Sequence, residues 1–128
     1  MTHQIHDIGI AKQIGLYSDA IEIAPGLRWL FTSGTPGLEK SGKLPSDIIG
    51  QAEIAWAHIG AMLKAAGMTK RDLVKVTHYL TRAEDIPAYA KVRASFLGDA
   101  RPASMMLVTP AFVRPEFLLE IDAIAAAR

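Results

Sequence analysis

The clearest pattern along the chain is a broad apolar face between residues 46 and 67. Ile48, Ala52, Ala55, Trp56, Ile59, Met62, Leu63 and Ala66 recur at three- and four-residue spacing, the period of one face of an α-helix. Ser46 is a candidate cap, Asp47 suits the positive end of the helix dipole, and Gly67 is a stop signal. Residues 72–80 switch to a period of two. Val74, Val76, His78 and Leu80 fall on one face of a predicted strand, and Lys75, Thr77 and Tyr79 on the other. A second helix is expected from Ile86 to about Leu97, opened by Asp85 and Pro87 and closed by Gly98. Two more strands are expected at about 104–109 and 117–125. Upstream, residues 19–24 alternate weakly, Pro25-Gly26 signals a turn, and residues 27–33 form an apolar run, which together predict a β-hairpin. The segment from Gly34 to Pro45 is too rich in Gly and Pro for either regular element.

The resulting order, β-β-α-β-α-β-β with no repeat or linker, predicts one α+β domain over residues 1–128, with a mixed sheet and both helices on one face. Ile21, Ile23, Val76, Leu107 and Ile121 give the strands more apolar side chains than two helices would cover. The other sheet face is therefore expected to pack against further copies of the chain.

Composition narrows the chemistry. Half of the 128 residues are hydrophobic and 21% are charged, an ordinary globular balance with room for a sizeable core. There is no cysteine, which excludes disulfides, thiolate nucleophiles and Cys-ligated metal. No signal peptide and no run of ~20 apolar residues is visible, so a cytoplasmic protein without membrane contact is expected. The net charge is +1, and the densest basic stretch (Lys64, Lys70, Arg71, Lys75) is interrupted by Asp72. That reads as a solvated helix end and strand rather than a phosphate-binding face, so no nucleic-acid partner is expected.

Several candidate motifs dissolve on inspection. Residues 37–43 (Gly-Leu-Glu-Lys-Ser-Gly-Lys) match all but the last position of a phosphate-binding loop, but Leu44 replaces the metal-binding hydroxyl and Pro45 precedes the helix. His3 and His6 fall in a segment expected to fray, His58 between core positions of a helix, and His78 among valines. None has a partner at ligand spacing, so no metal site is expected. Glu120 and Asp122, at i and i+2, share a strand face with Leu118 and Ile124. Two readings stand for them. A pair of desolvated carboxylates suits general acid–base work, whereas a solvated face or cross-strand ion pair needs no chemistry.

A constellation of short motifs carries more. Residues 14–20 read Ile-Gly-Leu-Tyr-Ser-Asp-Ala, residues 32–34 Thr-Ser-Gly, residues 100–107 Ala-Arg-Pro-Ala-Ser-Met-Met-Leu, and residues 119–125 Leu-Glu-Ile-Asp-Ala-Ile-Ala. In this order, over nearly the whole chain, they closely resemble the RidA/YjgF family, which deaminates reactive enamines and imines. The resemblance implies a chorismate-mutase-like fold, a homotrimer, a cleft at each subunit interface, a small-molecule substrate and no cofactor. It implies that Glu120 positions the attacking water and that Asp122 is structural. Tyr17 matches the family's tyrosine, as a donor, a wall of the cleft or an interface residue. Ser33 matches the serine beside the substrate, where its hydroxyl and the Gly34 amide would hold an oxygen. Ser33 has no histidine paired with it in sequence, which argues against covalent catalysis.

The departures are as informative as the matches. The family reads Pro-Ala-Arg where this chain reads Pro102-Ala103-Ser104, and that arginine grips the substrate carboxylate through a bidentate pair. A serine hydroxyl offers one neutral donor instead. Ala90 stands where the family carries asparagine, and Met106 where a small residue or cysteine is common. Arg101 lies an odd number of residues from Ser104 and would point to the opposite strand face. Arg93, one helical turn from Ala90, is the candidate to restore an anion site; the competing reading is a solvent-facing arginine. Two functions are therefore expected. One is hydrolysis of an imine or enamine, or a related hydrolysis or tautomerisation, with Glu120 catalytic and Tyr17, Ser33, Gly34, Ser104, Met106 and Arg93 binding substrate. The other is a non-catalytic binding or protein-interaction trimer on the same scaffold.

Overall fold

The computed structural model describes residues 2–128. Along the chain the elements are β1 (Gln4–Ile5), β2 (Ile21–Glu22), β3 (Arg28–Phe31), β4 (Thr35–Pro36), α1 (Ile48–Ala65), β5 (Leu73–Leu80), α2 (Ile86–Leu97), β6 (Ala103–Val108) and β7 (Leu119–Ala127). The expected order is present, with β1 and β4 as additional two-residue strands.

The main sheet runs β3-β7-β5-β6, with β4 also on β7. β5 and β6 are parallel, joined through α2, while β7 is antiparallel to β3, β4 and β5. The period-two reading of β5 holds from Lys75 on, with Val76, His78 and Leu80 buried and Lys75, Thr77 and Tyr79 not; at Val74 a bulge breaks it, and Leu73 is buried instead. The same alternation buries Leu119, Ile121, Ala123 and Ala125 of β7. Both helices cover this one face. α1 brings Ala52, Trp56, Ile59 and Leu63 into the core, and α2 brings Tyr89 and Leu97. Each large apolar side chain so buried stabilises the fold by about 1.5–3 kcal/mol. Trp56 stacks on Phe96 with ring centroids 4.7 Å apart, locking α1 to α2.

Four details differ from the sequence reading. The hairpin between residues 19–24 and 27–33 does not form. β2 instead takes β1 as its partner, and β3 lies along the alanine-rich end of β7, which offers nine residues of edge against two. The N-terminal segment is tied down rather than frayed: His3 Nε2 bonds the Asp72 carbonyl oxygen at 3.1 Å, and His6 Nε2 meets Glu22 at 2.7 Å. The cap of α1 is Asp47 in extended conformation, one residue past Ser46. Finally, of the five apolar residues counted toward the strands, Val76 and Ile121 point into the helix layer, Ile21 lies in the small β1–β2 sheet, Ile23 lies outside the strands, and Leu107 is on the open face. Registers place Trp29, Phe31, Met105, Leu107 and Ile124 on that face instead. Neither helix covers this face.

The loop from Gly34 to Pro45 is held by packing. A Cβ on Gly37 would run into the backbone of Gln51, so glycine is required for the loop to lie on α1. The buried Gln51 side chain donates to the Pro45 and Glu116 carbonyls and accepts from the Leu118 amide. Lys43 and the start of α1 at Ile48 are separated by four residues, so the loop does not form a phosphate cradle. His58 Nε2 bonds the Leu38 carbonyl oxygen at 2.7 Å, the structural role expected of it. No helix among the described residues is long and apolar enough to cross a membrane.

Candidate functional site

Two groups of side chains form, on opposite faces of the sheet. The first lies at the β6 edge. Pairing of Val76 with Ser104 and His78 with Met106 turns Ser104 and Met106 toward the helix layer. On α2, Tyr89 and Arg93 are one turn apart and face the same strands. Tyr89 is buried, and the Arg93 guanidinium sits over its ring, 6.0 Å from the centroid. The third wall is the loop before β2. Asp19 gathers the amides of Ile8, Gly9, Ile10 and Ala11 at 2.8–3.3 Å, and Ser18 bridges to Ala103. Those amide bonds, the one from Ile8 foremost, hold the Asp19 carboxyl below its ordinary range. Tyr17 is thereby delivered to the cleft. The cleft measures about 440 Å³ and is lined by Ile14, Tyr17, Ile86, Arg93, Ser104 and Met106. A narrow recess continues from it to His78.

His78 is the residue the sequence did not mark as functional. Its Nε2 lies 3.0 Å from Ser104 Oγ, and its Nδ1 makes a short hydrogen bond with the Tyr89 hydroxyl. Burial, reinforced by the positive charge of Arg93, pushes the imidazole pKa down to about 3, so the ring is neutral. Burial likewise pushes the Tyr89 phenol far up. A histidine among valines signals a hydrogen-bonded core residue, and it is one. Only the β5–β6 register reveals that one of its partners opens onto a cleft.

The second group surrounds Glu120. Between the pairs Phe31↔Ile124 and Thr35↔Ile121, three residues of one strand span two of the other, a bulge that sets Gly34 against the Glu120 side chain. A Cβ on Gly34 would overlap Glu120 Oε1. Glu120 is partly buried on the open face, and burial raises its pKa. Asp122 shares that face, as the spacing predicts, but accepts from the Tyr79 hydroxyl at 3.3 Å. Ser33 is exposed in the bulge, its carbonyl bonded by the Thr35 hydroxyl.

Tyr17, Arg93, Ser104 and Met106 therefore meet, and Gly34 meets Glu120. The two groups do not meet within one chain. Glu120 is in register with Tyr79 and, through it, Leu107, three residues beyond Ser104 on β6. At standard strand spacing that separates Ser104 from Glu120 by roughly 14 Å, on opposite faces. Ala90 lies next to Arg93 in an adjoining depression, and Arg101 is spent on the Gly98 and Ala100 carbonyls. A larger groove of about 570 Å³ between α1 and α2 carries none of the predicted residues. Among the described residues no three His, Asp or Glu side chains are grouped as a metal would require.

The endoribonuclease L-PSP family model matches residues 10–127 of the chain. A RutC family protein of Pyrococcus horikoshii is 34% identical over 116 residues, covering 89% of each chain. TdcF of Escherichia coli, named provisionally as a reactive intermediate deaminase, is 29% identical over 115 residues, covering 88% of this chain and 87% of that one. Its crystal structure with bound serine superposes with a TM-score of 0.74, covering 90% of this chain and 91% of that one. The Rid-family protein YyfB of Yersinia pestis shares the fold at a TM-score of 0.85 and 24% identity, covering 99% of this chain and all of that one.

Proposed function

We propose that this chain, which belongs to the RidA/YjgF (endoribonuclease L-PSP) family, is a cytoplasmic homotrimer that hydrolyses an imine or enamine to a carbonyl compound and ammonia. Water adds to the imine carbon and its proton passes by way of Glu120 to the nitrogen; the hydroxyl proton of the carbinolamine then moves to that nitrogen, the C–N bond breaks, and ammonia leaves a carbonyl behind. Glu120 is the general base that orients the water and takes its proton, and its raised pKa brings it closer to the working pH. Arg93 and Ser104 hold the oxygen end of the substrate, Tyr17 and Met106 wall it, and Ser33 with the Gly34 amide contacts it from the Glu120 side. Because Glu120 and Ser104 lie on opposite faces, the reading joins Glu120 of one subunit to the β6 cleft of the next.

The observation that carries this reading is the position of Arg93. A guanidinium reaches the cleft from α2, beside Ser104 and Tyr17, where the family's strand arginine is missing. Met106 lines the cleft without filling it, which favours turnover over a purely packing role. The test is imine hydrolysis with substrates generated in situ by an amino-acid oxidase, following loss of the semicarbazone-trappable imine. Glu120→Ala is expected to abolish turnover. Arg93→Ala, which loses a charge-assisted bond of about 1.5–3 kcal/mol, should lower kcat/KM about tenfold to a few hundredfold. An inactive wild type rescued by Ser104→Arg would instead mark a scaffold turned to binding.

A further inference from the structure

We infer that Tyr89, His78 and Ser104 form a one-way hydrogen-bond relay that presents the Ser104 hydroxyl to the cleft as a fixed donor, selecting ligands that offer a carboxylate or carbonyl oxygen there. The direction follows from burial. Tyr89 and His78 are 0% and 1% exposed. Among the described residues the one acceptor within reach of the Tyr89 O–H is His78 Nδ1, since its other polar neighbour, the Trp56 indole N–H, is itself a donor. Were Nδ1 protonated, the phenol proton would be stranded in the core without an acceptor. Tyr89 therefore donates to Nδ1, which is bare. A neutral imidazole carries its single proton on the other nitrogen, so His78 Nε2–H donates to Ser104 Oγ at 3.0 Å. The Ser104 proton is left free, facing the cleft beside Arg93.

Two consequences follow. The nitrogen facing Ser104 already holds a proton and cannot accept the one on Oγ, so the Ser–His contact is not a nucleophile–base pair despite its distance. The cleft also presents donors from two directions, Ser104 O–H and the Arg93 guanidinium, which suits an anionic or polarised oxygen and rejects an ammonium group. Tyr89 and His78 are positioning residues, and Ser104 sets specificity. This rests on the edge cleft being the substrate site, and it specifies the substrate end bound there.

The His78 tautomer can be read directly from two-bond ¹H–¹⁵N correlations in the labelled wild-type protein, with the signal assigned by its loss in His78→Gln. A protonated Nε2 and bare Nδ1 are expected; the opposite tautomer overturns the relay. Pyruvate is the binding probe, titrated in the absence of turnover. Ser104→Ala and Tyr89→Phe should each weaken it about tenfold, and the double variant should be no weaker than Ser104→Ala. Binding that is absent in the wild type, or unchanged by both variants, also overturns the proposal. Should Tyr89→Phe not fold, the wild-type tautomer and Ser104→Ala still decide. A protein that binds pyruvate through the relay but releases no ammonia would refute the hydrolase reading and leave the relay standing.

Discussion

Burial decides the chemistry of single residues here, and His78 is the sharpest case. An exposed histidine titrates near 6.5, but in this core, facing Tyr89, Ser104 and the Arg93 charge, it titrates at about 3. As pH falls below 6.5 the unfolded chain takes up the proton and the folded chain does not. Stability should therefore decline as pH falls from 6.5 to about 3, and between those values the slope for one group approaches about 1.4 kcal/mol per pH unit. Urea unfolding at one fixed protein concentration should show a shallower slope for His78→Gln, by about one proton, because the carboxylates are common to both proteins. Equal slopes would mean that His78 is not held neutral. Glu120 shows the same force with the opposite sign of charge, since burial favours its protonated form. Gly34 is what gives that carboxyl room.

At the scale of elements, loops without regular structure are placed by side chains that replace the missing backbone bonds. Asp19 does this for residues 8–11 and so for Tyr17. Gln51 does it for two loops at once, clipping Pro45 and Glu116–Leu118 to α1 with three hydrogen bonds from a side chain only 1% exposed. Gln51→Leu keeps the volume but strands a buried amide and two carbonyls, and should cost about 2–4 kcal/mol in chemical denaturation. A loss below 0.5 kcal/mol would show that water satisfies those groups instead. These long-range clips join residues 67 or fewer positions apart, and no local signal in the sequence announces them. The helices α1 and α2 were legible because their apolar periodicity, Pro87 and Gly98 act locally. The hairpin over residues 19–33 was misread because a turn signal says where the chain bends and not which edge receives the next strand.

At the scale of the molecule, an open sheet face carries Trp29 and Phe31, 50% and 67% exposed and stacked on each other, with Met105 at 55%. Large apolar side chains exposed at both edges of one sheet face are costly to leave in water. In the proposed trimer the packing that covers them joins Glu120 of one subunit to Ser104 of the next. If the site is shared between subunits, Glu120→Ala and Arg93→Ala subunits should complement each other. Random reassembly of an equal mixture puts both intact residues at about one site in four, so mixing two nearly inactive proteins should return roughly a quarter of wild-type turnover. Sedimentation equilibrium should report a trimer, and Phe31→Glu should dissociate it. A monomeric wild type, or no complementation, would place the whole reaction within one chain.

What the sequence determined by itself is what local rules and motif order can carry: two helices, the long strands, the fold class and the family. Amphipathic period, capping and turn chemistry act over a few residues, so they can be read before the chain is folded. The tertiary structure decided what depends on partners distant in sequence. The β5–β6 register joins Ser104 to His78 across 26 positions, and α2 packing adds Tyr89 and brings Arg93 into the recess beside Ser104. The sheet faces separate Glu120 from Ser104. Hydrogen bonds, burial and the pKa values they set are properties of neighbours in space, and those neighbours exist only once the chain has packed.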